Sequence, residues 1–198
     1  GGSTEDVAVG LALDASGNVL VSGWTARTSI DLVTFKLGGV KGDLLWSALY
    51  DSPAGLADHA MDLAVGPDGD AVVAAASQVA GGTTDYAVLR YRGTDGTRLW
   101  VNRYNGPGNY ADAPLGVLVG AAGDVFVTGY SDDLLRTAEM GTLGLRKDSG
   151  AIAWNNRHGA GTNGVAIGFS LAFDLDGRLL VAGSAENDAG GMDFVVQD

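Results

Sequence analysis

Three residue series that recur every 54 positions, glycine turns between valine-rich segments, and strands apolar on both faces predict an all-β fold, a β-propeller of four-stranded antiparallel blades. Trp46, Trp100 and Trp154 keep this spacing, as do Gly42, Gly96 and Gly150, and Asp31, Asp85, Glu139 and Asp193. The turn glycines Gly17, Gly69, Gly123 and Gly177 are spaced 52, 54 and 54, so one loop of the first copy is two residues shorter. The repeats run over about 4–56, 57–110, 111–164 and 165–198.

The first strand of each repeat is read at Val7–Leu13, His59–Val65, Ala113–Val119 and Ile167–Phe173. A tight turn follows, such as Ala15-Ser16-Gly17-Asn18, where glycine supplies positive φ and Asp or Asn bonds the local backbone. The second strand, Val19–Gly23, Ala71–Ala75, Val125–Gly129 and Leu179–Gly183, is rich in β-formers. A longer loop leads to the third, for example Leu32–Leu37 and Tyr86–Tyr91. Another glycine turn gives the fourth, Leu44–Leu49, Arg98–Arg103 and Ile152–Arg157.

Connections this short leave no room for crossover helices, so neighbouring strands run antiparallel. Val19-Leu20-Val21 and Val125-Phe126-Val127 are apolar on both faces, so each sheet must be covered on both sides. A fourth repeat tryptophan would fall at position 208, beyond Asp198, and Gln197 stands where Phe35, Leu89 and Leu143 stand. About 3.7 blades are therefore present. The expected form is a fragment of a larger ring; a closed four-bladed ring is the alternative.

Composition excludes several functions. The net charge of −12 repels phosphate backbones, and Arg90, Arg92, Arg98 and Arg103 are expected on solvated strand faces and turns, so no nucleic-acid partner is predicted. With no cysteine, disulfides, thiolate chemistry and Cys-based zinc sites are ruled out. No apolar run approaches the roughly 18 residues of a membrane-spanning helix. The chain opens on Gly1-Gly2-Ser3 and is read as a piece of a longer precursor.

The run Asp85-Tyr86-Ala87-Val88-Leu89-Arg90-Tyr91, then Asp95-Gly96-Thr97-Arg98-Leu99-Trp100, then Arg103-Tyr104-Asn105-Gly106-Pro107-Gly108-Asn109 resembles the bacterial SBBP-type β-propeller repeat. Gly123-Asp124-Val125-Phe126-Val127-Thr128-Gly129-Tyr130-Ser131 is similar to it too. The resemblance covers essentially the whole chain and belongs to the quinoprotein-like propeller superfamily. It implies an exported or cell-surface bacterial module without a general catalytic role, and tryptophans placed between adjacent blades.

Candidate chemistry is sparse. Trp24 stands outside the tryptophan series, beside a loop, and with Tyr130 is the candidate for ligand contact. The acidic residues Asp6, Asp58 and Asp112 before the first strand, and Asp31, Asp85, Glu139 and Asp193 before the third, are expected to cap backbone N–H groups or pair neighbouring blades; a ring of cation ligands is the alternative. Asp174-Leu175-Asp176-Gly177 opens like a calcium loop but lacks the later ligands, so a turn is expected. Gly159–Gly164 spells GxGxxG without opening a helix, and Gly168–Ala172 approximates a nucleophile elbow inside a strand. No catalytic, cofactor or metal residues are predicted.

The reading is a non-enzymatic, exported or cell-surface scaffold or interaction module. Its partners would be an unidentified protein or glycan and the rest of its own propeller. The alternatives are carbohydrate binding through the divergent loops Trp24–Ile30, Ala76–Thr84, Tyr130–Ala138 and Ser184–Met192, and a quinoprotein-like enzyme.

Overall fold

Glycines with positive φ set the rhythm of the chain. Gly17, Gly69, Gly123 and Gly177 hold φ of 77–92°, and Gly42, Gly96 and Gly150 hold 67–73°. Each sits in a turn that an L side chain would strain. The computed structural model describes residues 5–159, 164–187 and 190–197.

Between these turns run fifteen described strands. The first sheet comprises β1 (Asp6–Leu13), β2 (Val19–Ala26), β3 (Ile30–Leu37) and β4 (Leu44–Tyr50). The second holds β5 (Asp58–Val65), β6 (Ala71–Gln78), β7 (Thr84–Tyr91) and β8 (Arg98–Tyr104). In the third are β9 (Asp112–Val119), β10 (Val125–Asp132), β11 (Ala138–Leu145) and β12 (Ile152–His158); in the fourth, β13 (Ala166–Phe173), β14 (Leu179–Glu186) and β15 (Met192–Gln197). Every sheet is an antiparallel meander in chain order, with three sheets of four strands and one of three. These are propeller blades.

The first strand of every blade carries a bulge at the same repeat position, leaving Val9, Met61, Leu115 and Phe169 unpaired. A bulge bends and twists the strand locally. Successive first strands β1, β5, β9 and β13 pack side by side, and β5, β9 and β13 each lie against the preceding blade.

The joints between blades hold the core. Leu20, Leu32, Trp46 and Tyr50 of the first blade pack on Ala71, Val73, Leu89 and Tyr91 of the second. Val72, Tyr86, Val88 and Trp100 of the second meet Val117, Val127, Leu143 and Leu145 of the third. Trp46 Nε1 donates to the Gly93 carbonyl at 3.0 Å and Trp100 Nε1 to that of Lys147 at 2.8 Å. Trp46 and Trp100 lie between blades, as the resemblance implies, whereas Trp154 is 40% exposed on the last strand of the third blade.

Beside each of these two tryptophans lies a buried cation. Lys36 Nζ donates to the Gly93 carbonyl at 2.7 Å and pairs with Asp14 at 2.8 Å. One repeat later, Arg90 donates to the Gly123 carbonyl at 2.8 Å and pairs with Asp68 and Asp70 at 2.7 and 3.0 Å. This corrects the expectation of a solvated Arg90: only 1% of it is exposed. Its guanidinium has a partner for each nitrogen, which is what permits burial of a charge. Arg92 and Arg98 are exposed as expected, while Arg103 is half-buried.

The outer face of the first blade is open. Leu11 is 68% exposed, whereas its equivalents Leu63 and Val117 are 7% and 8% exposed inside joints. Val21, Val33 and Phe35 line a hollow of about 520 Å³ on that face. Among the described residues, the strands of the first blade do not pack extensively on those of the fourth.

Candidate functional site

The ends of the strands place two kinds of connection on one rim. Loops between second and third strands, and links from one blade to the next, emerge together above the starts of β5 and β9. Beneath them the polar residues form two equivalent clusters, one at each of the first two joints.

In the first cluster, Asp58 begins β5 and is fully buried. Its carboxylate accepts the Ser52 amide at 2.7 Å and a hydrogen bond from the Ser77 hydroxyl. Arg103 Nη1 donates to Ser77 Oγ at 2.7 Å and to the Tyr50 hydroxyl at 3.2 Å, and its Nη2 lies 3.9 Å from Asp85. In the second, Asp112 accepts the Gly106 amide at 2.7 Å, and Arg157 donates to Ser131 Oγ and to the Tyr104 hydroxyl at 3.3 Å. Arg157 Nε also reaches Glu139 at 2.7 Å.

These clusters show why the acidic residues repeat. Asp58 and Asp112 tie the link between blades to the strand it enters, and Asp85 and Glu139 orient the arginine. Asp31 takes the Ser29 hydroxyl at 2.5 Å, while Asp6 and Asp193 are exposed. Burial raises the Asp58 and Asp112 carboxyls above the ordinary range, opposed by hydrogen bonds from Ser77 and Ser131 and by the arginines. Asp85 is raised too, by burial, with Arg103 opposing and Asp112 reinforcing.

Chemically, the Ser77 hydroxyl bridges arginine and carboxylate at the first joint. Ser77 donates to Asp58 and accepts from Arg103, so its lone pair and its proton are both engaged. His59 meets the Trp24 ring edge-on, with centroids 5.5 Å apart. Among the described residues, no group of three or more His, Asp or Glu could hold a metal ion.

Trp24 and Tyr130 occupy equivalent repeat positions, the sixth residue of β2 and of β10, on separate blades. Both are half-buried at the rim. Trp24 borders the hollow of the first blade along with Asp6, Arg27 and Phe35. Burial raises the Tyr130 hydroxyl, helped by Asp132 and Asp112.

The sequence motifs fall where turn and strand chemistry puts them. Asp174 accepts the Asp176 and Arg178 amides at 2.9 and 2.8 Å, and Arg178 Nε pairs with it at 2.7 Å. That is an Asx turn, with the carboxylate oxygens turned onto its own loop. Gly168–Ala172 lies within β13. Residues 160–163 of the Gly159–Gly164 run lie outside the described residues.

One rim feature escaped the sequence reading. The loop between β10 and β11 presents Leu134 and Leu135, 75% and 72% exposed, followed by Arg136 at φ +63°. A signal was present: aligned copies put Ala80-Gly81-Gly82 where this copy has Leu134-Leu135-Arg136.

No protein-family model matches the sequence, and no curated protein matches it. Among solved structures, the chain is similar to BamB from Moraxella catarrhalis, with a TM-score of 0.56 and 17% identity over 98% of this chain and 50% of that one. The chain thus spans half the length of that protein. A glucose dehydrogenase (TM-score 0.31, 11% identity, 99% of each chain) and the tail fiber of Staphylococcus aureus phage P68 (TM-score 0.30, 9% identity, 99% of this chain and 50% of that one) align too loosely to carry an argument. Blade topology and the likeness to BamB define the class: a β-propeller.

Proposed function

We propose that this propeller is a non-enzymatic scaffold that presents variable loops to a protein partner. The observation carrying this reading is the repetition of the rim cluster. Tyr50, Asp58, Ser77 and Arg103 recur as Tyr104, Asp112, Ser131 and Arg157, with the link amide on the aspartate and the arginine on the serine and tyrosine hydroxyls repeated. A catalytic centre would break that symmetry at one blade, whereas a framework carries it from joint to joint.

An exported or cell-surface setting is part of the proposal and rests on the resemblance to SBBP-type repeats. A further blade of the same design is proposed to cover the open face of the first blade. Exposed Leu11 and the hollow beside Phe35 support it, because the equivalent surfaces of the second and third blades are buried. The test is to assay the natural protein for quinone-dependent dye reduction and to map its exposure to added protease on intact cells. No turnover and protease sensitivity are expected; turnover, or protection inside the cell, would overturn the reading.

A second reading, carbohydrate binding, is favoured by the placement of half-buried Trp24 and Tyr130 at one repeat position on the loop rim. Aromatic faces at a rim suit sugar stacking. Glycan-array binding that disappears in Trp24→Ala or Tyr130→Ala would establish it.

A further inference from the structure

The described residues contain two non-glycine residues at positive φ, Asn109 at 53° and Arg136 at 63°, and both lie at one corner of the rim. Asn109 tips the link between the second and third blades; Arg136 closes the loop between β10 and β11. Three of the equivalent loops share one hydrogen-bond pattern. Val79 bonds Thr83 and Gly82 bonds Val79; Asp133 bonds Thr137 and Arg136 bonds Asp133; Asn187 bonds Gly191 and Gly190 bonds Asn187. Where the third loop has Arg136, the other two have Gly82 and Gly190, at φ +89° and +78°. The same turn is therefore made twice with the residue that suits it and once with arginine, at a conformational cost.

That strained loop is braced. Asp133 accepts the Leu135 and Thr137 amides at 2.8 and 2.9 Å. The Arg136 guanidinium stacks 4.3 Å from the centre of the Tyr110 ring. Gly108 passes so close beneath that a Cβ there would lie 2.1 Å from the Asp133 carbonyl. All this fixes a turn whose tip is two leucines in water. An unused loop gains nothing from holding Leu134 and Leu135 out, since burying an apolar side chain is favourable.

We propose that Leu134, Leu135 and Arg136 form a preorganised docking finger for a protein segment that sets apolar side chains beside a carboxylate. The leucines pack on the apolar side chains, and the clamped Arg136 pairs with the acid. This deepens the scaffold reading and rests on it. A lipid surface fits less well. A sheet of anionic headgroups would meet Asp132, Asp133 and the net charge of −12 as a whole, whereas a single carboxylate meets Arg136 alone. A guanidinium held in one place also suits a fixed acceptor better than a fluid one. Preorganisation lowers the ordering cost of binding, which is what the strain at Arg136 would serve.

The test uses random peptides displayed on phage, panned on the immobilised chain, with vesicles of phosphatidylcholine and phosphatidylglycerol as a second probe. Enriched peptides should combine apolar and acidic residues and should bind Leu134→Asp/Leu135→Asp about tenfold more weakly or worse. Arg136→Gly should leave the unfolding midpoint close to that of the parent, since relieved strain offsets the lost stack on Tyr110, yet weaken the same peptides. Unchanged peptide binding by the double variant would overturn the finger while leaving the scaffold reading standing. Absence of any enriched peptide would overturn both. Vesicle binding that the double variant loses would overturn the protein partner in favour of a membrane.

Discussion

The six-membered ring of Trp100 lies against the α-carbon of Gly150, so close that a Cβ there would sit 2.5 Å from the indole Cε3. Trp46 and Gly96 repeat the contact one blade earlier, at 2.6 Å. The glycine thus does two things at once. It takes the positive φ that its turn requires, and it clears a seat for the indole of the preceding blade.

Gly42 separates those two duties, because it shares the φ, at 70°, but nothing lies within 4 Å of where its Cβ would be. Gly42→Ala should cost about 1–2 kcal/mol from backbone strain alone. Gly150→Ala should cost several kcal/mol, the strain plus displacement of a buried indole. Urea denaturation of the two variants checks the difference.

Arg90 and Lys147 both pair with Asp68, at 2.7 and 2.9 Å, but in different surroundings. Arg90 is buried and bonds Asp70 and the Gly123 carbonyl as well. Removing one partner from such a buried group should cost about 3–5 kcal/mol, so Arg90→Ala is expected to fall in that range. Lys147 is 38% exposed, and Lys147→Ala should cost about 1 kcal/mol or less. Thermal unfolding in low and high salt would check both, with salt weakening only the second effect.

Acid should act on this fold in two opposing ways. Burial raises Asp58 and Asp112 above their unfolded values, so between the unfolded and folded values the native state holds more protons than the unfolded one. Stability from these groups is therefore present below the unfolded value and lost as pH rises through the folded one. Asp14 and Asp68 behave oppositely. Although burial opposes it, hydrogen bonds from Lys36 and Asn18 hold Asp14 low, and Lys147, the Asp70 amide and Arg90 hold Asp68 low. Their contribution is present above the unfolded value and lost as pH falls. Asp58→Asn/Asp112→Asn should flatten the decline of stability on the alkaline side of the carboxylate range. Denaturation midpoints measured from acid to neutral pH would show it; an unchanged slope would mean that the two carboxyls titrate normally.

The period and the turns were legible in the sequence because each depends on one residue type at one place, and the tryptophan joints followed from the resemblance. A positive φ calls for glycine, and an indole that seats on it must recur with it. Arg90 was misread because an arginine inside an apolar strand looks like a solvated position until Asp68 and Asp70 come from the adjoining turn to meet it. The link from Tyr110 to Arg136 was invisible for a similar reason, since it joins two loops that differ in every copy. Leu134 and Leu135 fall inside the divergent loop Tyr130–Ala138, where the string alone gives them no direction. Only the braced turn shows that they point outward.

The joint is tested most directly by comparing three identical substitutions. Trp46 and Trp100 are 6% and 8% exposed and seat on the next blade's turn, while Trp154 is 40% exposed and rests on Gly144 of its own sheet. Equilibrium denaturation should show a loss of about 3–5 kcal/mol for Trp46→Ala and for Trp100→Ala, and a clearly smaller loss for Trp154→Ala. Equal losses at all three positions would contradict the account, because the stabilisation would then come from the tryptophan within its own sheet and not from the seat on the blade beyond.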